Sequence, residues 1–149
     1  MEKGNGFFDL KTANDLFEKL KEDYQLLKDS PRNSRRAFNF FVTAGHLPDW
    51  IFNGKGKEKK AFMNKNRIPR ICLELADGAK HFGESRKKDK SVESTSRVPV
   101  CEEGVLEKGI CDDSLIVELT DEGKSEDVLS LADKVMKFWE EHSDLLSDK

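Results

Sequence analysis

The sequence predicts a mainly α fold: a bundle of about four to five helices with a small β-hairpin inserted before the C-terminal helix. Apolar residues recur at spacings of three and four in several separate segments, the mark of helices with one buried face. β-branched alternation is confined to two short runs late in the chain, and Pro and Gly punctuate the joins. With 149 residues the chain suits one domain, 1–149, with one core of ordinary size.

Residues 1–11 read as an N-terminal arm whose Phe7-Phe8 pair docks on the core. Thr12, followed three residues on by Asp15, forms a capping arrangement for a first helix that ends near Asp29, ahead of Ser30-Pro31. A second helix runs from Asn33 or Ser34 to His46. It is the most apolar (Ala37, Phe38, Phe40, Phe41, Val42, Ala44, Leu47) and therefore the central one. Pro48 is expected to kink or restart it, and Asn53-Gly54-Lys55-Gly56 to end that run. A short helix over 58–64 leads to the organising helix over 70–82, entered by Pro69. That helix reads as an interior rod with Asp77, Lys80 and His81 emerging at a cleft. Residues 83–96 read as a basic exposed loop and 97–120 as a β-ribbon insertion, with Pro99 confining its strand to an edge. Ser125 is the expected cap of a final helix reaching about Leu145.

Hydrophobic residues make up 36% of the chain and charged ones 37%, so the core must be economical. No apolar run approaches the roughly 20 residues of a membrane-spanning helix, and the first residues lack a signal-like apolar stretch, so a cytoplasmic protein with no membrane partner is expected. Cys72, Cys101 and Cys111 show no zinc-site spacing and read as free thiols, Cys72 in the core, the other two able to face each other across the hairpin. No metal or other cofactor is expected. Gly-rich phosphate loops, nucleophile elbows, His-Glu-x-x-His pairs and calcium loops are absent, which removes many enzyme classes.

The net charge of −3 hides an asymmetry. Up to Lys90 there are 20 Lys and Arg against 13 Asp and Glu, a balance of +7; from Ser91 on there are 6 against 16, a balance of −10. The positive charge concentrates in Lys55, Lys57, Lys59, Lys60, Lys65, Arg67 and Arg70, and again in Arg86, Lys87 and Lys88. Basic runs without interleaved aromatics suit phosphate or carboxylate contacts better than base stacking, so RNA or another anionic partner is the expected ligand. Asp77 and His81 stand four apart on a helix and Lys80 three from Asp77, a spacing that lets a carboxylate orient an imidazole beside an ammonium. His142, in the acidic C-terminal region, carries no such weight.

The helical layout, with Ala76-Asp77-Gly78-Ala79-Lys80-His81 near the end of an apolar helix, resembles the HEPN (higher eukaryotes and prokaryotes nucleotide-binding) domains. Many of these are metal-independent ribonucleases whose motif pairs an arginine, followed by a polar residue, with a histidine further along the helix. His81 matches the histidine and Asp77 the polar residue, but Ala76 holds the arginine's place, which removes the main clamp on a phosphate transition state. Arg70 lies about three turns before His81, too far to replace it; Lys80 or a residue from a dimer partner is the remaining source of charge. The chain also resembles small bacterial and phage helical proteins. The leading expectation is a non-catalytic HEPN-like binding module using segments 55–70 and 86–90. A ribonuclease with His81 as general acid or base and Asp77 as its orienter is the first alternative. A homodimeric structural subunit, anchored by Trp50, Ile51 and Phe52 or by Phe138 and Trp139, is the second.

Overall fold

The computed structural model describes residues 6–80, 92–100, 112–119 and 124–147. Its helices are α1 (Ala13–Asp29), α2 (Ser34–Ile51), α3 (Gly56–Lys65), α4 (Arg67–Lys80) and α5 (Val128–Glu141), followed by a 3-10 turn, Ser143–Leu146. Strands β1 (Val92–Val100), β2 (Asp112–Leu119) and β3 (Ser125–Asp127) form an antiparallel sheet in the order β1-β2-β3, between α4 and α5 in sequence. The mainly α fold with a small sheet before the last helix is thus observed.

Helix α1 starts where local chemistry dictates. Thr12 Oγ1 accepts from Asp15 N at 3.0 Å, and Asp15 Oδ2 accepts from the Lys11 and Thr12 N–H groups at 2.8 and 3.0 Å. Those two backbone donors hold the Asp15 carboxyl below its ordinary range. Asn33 caps α2 by accepting from Arg35 N and Arg36 N. The helix is not restarted at Pro48 and does not end at His46: α2 runs through the proline to Ile51, and Phe52 N closes the last turn on Pro48 O at 2.9 Å. Pro48 and Leu47 are fully buried, and that burial offsets the one helical bond the proline removes. Helix α4 begins at Arg67, earlier than expected, with Pro69 still inside the first turn, where N–H groups have no helical partner anyway.

The N-terminal arm differs from expectation. Phe7 and Phe8 are 64% and 78% exposed and pack edge-on against each other, ring centroids 4.6 Å apart, rather than docking on the core. Reciprocal backbone bonds between Phe7 and Leu10 close a tight turn, with Phe8 at φ 51°, and it is Leu10 that packs inward. The sheet is larger than a hairpin. Residues 92–96, expected within the basic loop, belong to β1; its Ser94, Thr95, Ser96 and Arg97 are exposed, so no apolar alternation marks this first part of the edge strand. Leu115, Val117 and Leu119 of β2 do alternate inward. The segment Ser125-Glu126-Asp127, expected to begin the last helix, is β3, joined to β2 through its backbone. The cap of α5 is therefore Asp127, whose Oδ2 accepts from Leu129 N and Ser130 N at 3.1 and 3.2 Å. Helix α5 ends at Glu141, short of Leu145.

One apolar core draws on α1, α2, α4, α5, β2 and Leu146. α2 is central, lying against α1, α4 and α5. Between α1 and α2 a buried carboxylate, Asp23, accepts from Lys19 Nζ at 2.6 Å and Thr43 Oγ1 at 2.7 Å, so its charge is compensated where it is hidden. Of the two aromatic groups expected as dimer anchors, Phe138-Trp139 offers little surface: Trp139 is wholly buried and Phe138 partly so. Trp50 is half-buried against the core. Cys72 is buried as expected, while Cys101 and Cys111 lie outside the described residues.

Burial pushes the Cys72 thiol up to about 12 from its ordinary 9.0. In a Cys101→Ser/Cys111→Ser background, a thiol reagent at pH 8 is expected to leave Cys72 untouched until denaturant opens the core; prompt labelling of the folded protein would contradict its burial. The unfolded thiol ionises near 9.0 and the folded one near 12, so this contribution is intact below pH 9 and falls above it by up to about 1.4 kcal/mol per pH unit.

Candidate functional site

The polar trio of α4 is only partly placed. Asp77 is half-buried on α4; the side chain of Lys80 and the whole of His81 lie outside the described residues, as do Arg86, Lys87 and Lys88. A groove of about 610 Å³ runs between α2, α4 and the sheet, but α4 contributes Glu74, Leu75, Gly78 and Ala79 to it, not Asp77. Phe38, counted on the core face of α2, is 52% exposed at this groove.

Ala76, which the HEPN resemblance would set at the arginine's place, is a packing residue. It is buried, and its Cβ lies 2.6 Å from where a side chain on Gly45 would begin, so α2 and α4 touch backbone to side chain there. An arginine at position 76 has no room without parting the two helices.

The basic run 55–70 divides into two groups. Lys59 is committed to Asp49, which also faces His46 Nδ1 at 3.9 Å. Arg67 and Arg70 are half-buried, with Arg67 Nε and Nη2 and Arg70 Nε withdrawn from solvent. Lys55, Lys57, Lys60 and Lys65 are exposed and form no ion pair among the described residues. Helical geometry spreads Lys57, Lys60 and Lys65 over the outer half of α3, with Lys55 just before its first turn and Glu58 the acidic residue among them.

The inner half of α3 fastens this row of cations to the core. Met63 is buried, and the Phe62 ring lies 5.2 Å from Phe52, 6.0 Å from Phe138 and 5.9 Å from Trp139. His142 belongs to the same aromatic group rather than to a solvated acidic end: it stacks on Phe138 at 4.1 Å, and its Nδ1 lies 2.7 Å from Phe138 O.

A second basic surface was not visible in the sequence. Arg32, Arg35 and Arg36 lie around the start of α2, and Arg97 of β1 is bonded to the same turn. Arg97 is more than sixty positions away, and nothing in its neighbours marks it; the strand register alone brings it there.

Among the described residues no helix is long and apolar enough to cross a membrane, and no group of three or more His, Cys, Asp and Glu is placed to hold a metal ion. No family model, curated protein or solved structure matches this chain.

Proposed function

We propose that the chain is a non-catalytic helical binding module, HEPN-like in layout, that meets the phosphate backbone of a nucleic acid through the outer half of α3. The observation that carries this reading is the state of its lysines. Lys19, Lys21, Lys59 and Lys134 are each paired with a carboxylate of the same chain; Lys11, Lys28 and Lys137 form no ion pair among the described residues, but only Lys55, Lys57, Lys60 and Lys65 gather, exposed and uncompensated among those residues, in one short run on or beside a packed helix. Uncompensated ammonium groups displace counterions from a phosphate backbone and gain affinity from their release. The buried Ala76 supports the non-catalytic part, since the position that bears the phosphate clamp in the enzymes is given over here to helix packing.

A titration of fluorescently labelled RNA and DNA with wild type and with Lys57→Gln/Lys60→Gln/Lys65→Gln tests the proposal. Wild-type affinity is expected to fall steeply between about 50 and 200 mM salt, and the variant to lose on the order of 10- to 100-fold affinity at low salt with a shallower salt slope. Equal binding by both proteins, or none by the wild type at low salt, overturns it.

A further inference from the structure

The α1–α2 turn and β1 together build a corner of arginines at the end of α2 remote from α3. Arg97 Nη1 donates to Arg32 O at 3.2 Å and its Nη2 to Ser34 Oγ at 2.7 Å. Arg36 Nη1 donates to Leu26 O at 2.7 Å. Every one of these acceptors is neutral, so the bonds fix the guanidinium groups without cancelling their charge. Arg35 is exposed, with neither an ion pair nor a side-chain bond among the described residues, and no acidic residue occupies the first turn of α2. A guanidinium carries five N–H donors in a planar fork; among the described residues Arg97 uses two and Arg36 one, which leaves paired donors for an outside acceptor. Arginines held in place in this way suit bidentate contact with phosphate oxygens, because their side-chain entropy is already spent on neutral partners.

We propose that Arg35, Arg36 and Arg97 form a second contact for the nucleic-acid backbone, one that grips phosphates by fork geometry where the α3 lysines attract by charge. This inference rests on the nucleic-acid reading of α3 and adds to it a separate surface. Helix α2, 18 residues and so about 27 Å long, carries the arginines at its start, while the Lys59–Asp49 pair ties α3 to its other end.

The test uses a labelled duplex and a labelled single strand, each long enough to span that length, with Arg35→Gln, Arg35→Gln/Arg97→Gln and Arg35→Lys/Arg97→Lys beside the wild type and the α3 triple variant. Thermal melting confirms that each variant is folded. Arg35→Gln is the safeguard, since it removes no bond seen within the protein. Arg35→Gln is expected to weaken binding about threefold and the double glutamine variant about tenfold or more, the salt slope becoming shallower by about one for each phosphate no longer held. The double lysine variant, charged but without the fork, is expected to recover only part of that affinity. Wild-type affinity in both glutamine variants, together with weakened binding by the α3 variant, overturns the arginine contact and leaves the α3 reading standing. Full recovery by lysine overturns the fork geometry, and a wild type that binds neither probe overturns both readings.

Discussion

Trp139→Ala is expected to lower folding stability by about 3–5 kcal/mol, a large share of the roughly 5–15 kcal/mol available to a domain of this size. Trp139 is wholly buried, stacked on Phe62 of α3 at 5.9 Å and edge-on to Phe138 at 5.0 Å, so its removal empties the junction of α3 and α5. The loss has a functional face, because Phe62 is what seats the lysine-bearing helix. Trp139→Phe should behave quite differently. The indole Nε1 is buried without a hydrogen-bond partner among the described residues, and an unmade bond of that kind costs about 1–3 kcal/mol. Phenylalanine removes that orphaned donor while keeping an aromatic ring, so its net cost is expected to be less than half that of alanine. Urea unfolding of the three proteins measures both effects. A loss below about 1 kcal/mol for the alanine variant would deny Trp139 its place at the centre of the core.

How much of this architecture the residues announced depended on whether the signal was local. The Thr12–Asp15 box and the Asn33 cap are made within three residues, and both helices start there. Pro48 misled because its local penalty is real but smaller than the burial of the residues around it. Strand β3 gave no signal at all: Ser125-Glu126-Asp127 has neither alternation nor β-branching, and it is a strand only because β2 offers it backbone partners. The same division runs through the candidate surfaces. The lysines of α3 are contiguous in sequence and were legible as a basic run, although not which of them are spent internally on Asp49 or turned inward like Arg67 and Arg70. The arginine corner depends on a strand register that carries Arg97 to Ser34, and no periodicity or spacing encodes that meeting.

The approach of α2 to α4 gives the second large expectation, with a control of opposite sign on the same pair of helices. A Cβ added at Gly45 would lie 2.6 Å from Ala76 Cβ and 2.9 Å from Cys72 O, and the second of these is backbone that cannot swing away. Alanine is the better helix former by about 1 kcal/mol, yet overpacking of this kind costs about 1–3 kcal/mol. Gly45→Ala is therefore expected to destabilise on balance, and Gly45→Val, with two more methyl groups in the same gap, to cost at least about 3 kcal/mol. Pairing Gly45→Ala with Ala76→Gly removes the nearer obstacle and should restore part of the stability, but not all of it, because Cys72 O remains. Gly78, two residues further along α4, meets nothing within 4 Å among the described residues, so Gly78→Ala should gain about 0.5–1 kcal/mol from helix propensity alone. Urea midpoints of the single variants would thus move in opposite directions. A Gly45→Ala midpoint that rises as that of Gly78→Ala does would mean that the α2–α4 contact is not closed around Gly45, and with it would go the packing role of Ala76 on which the non-catalytic reading leans.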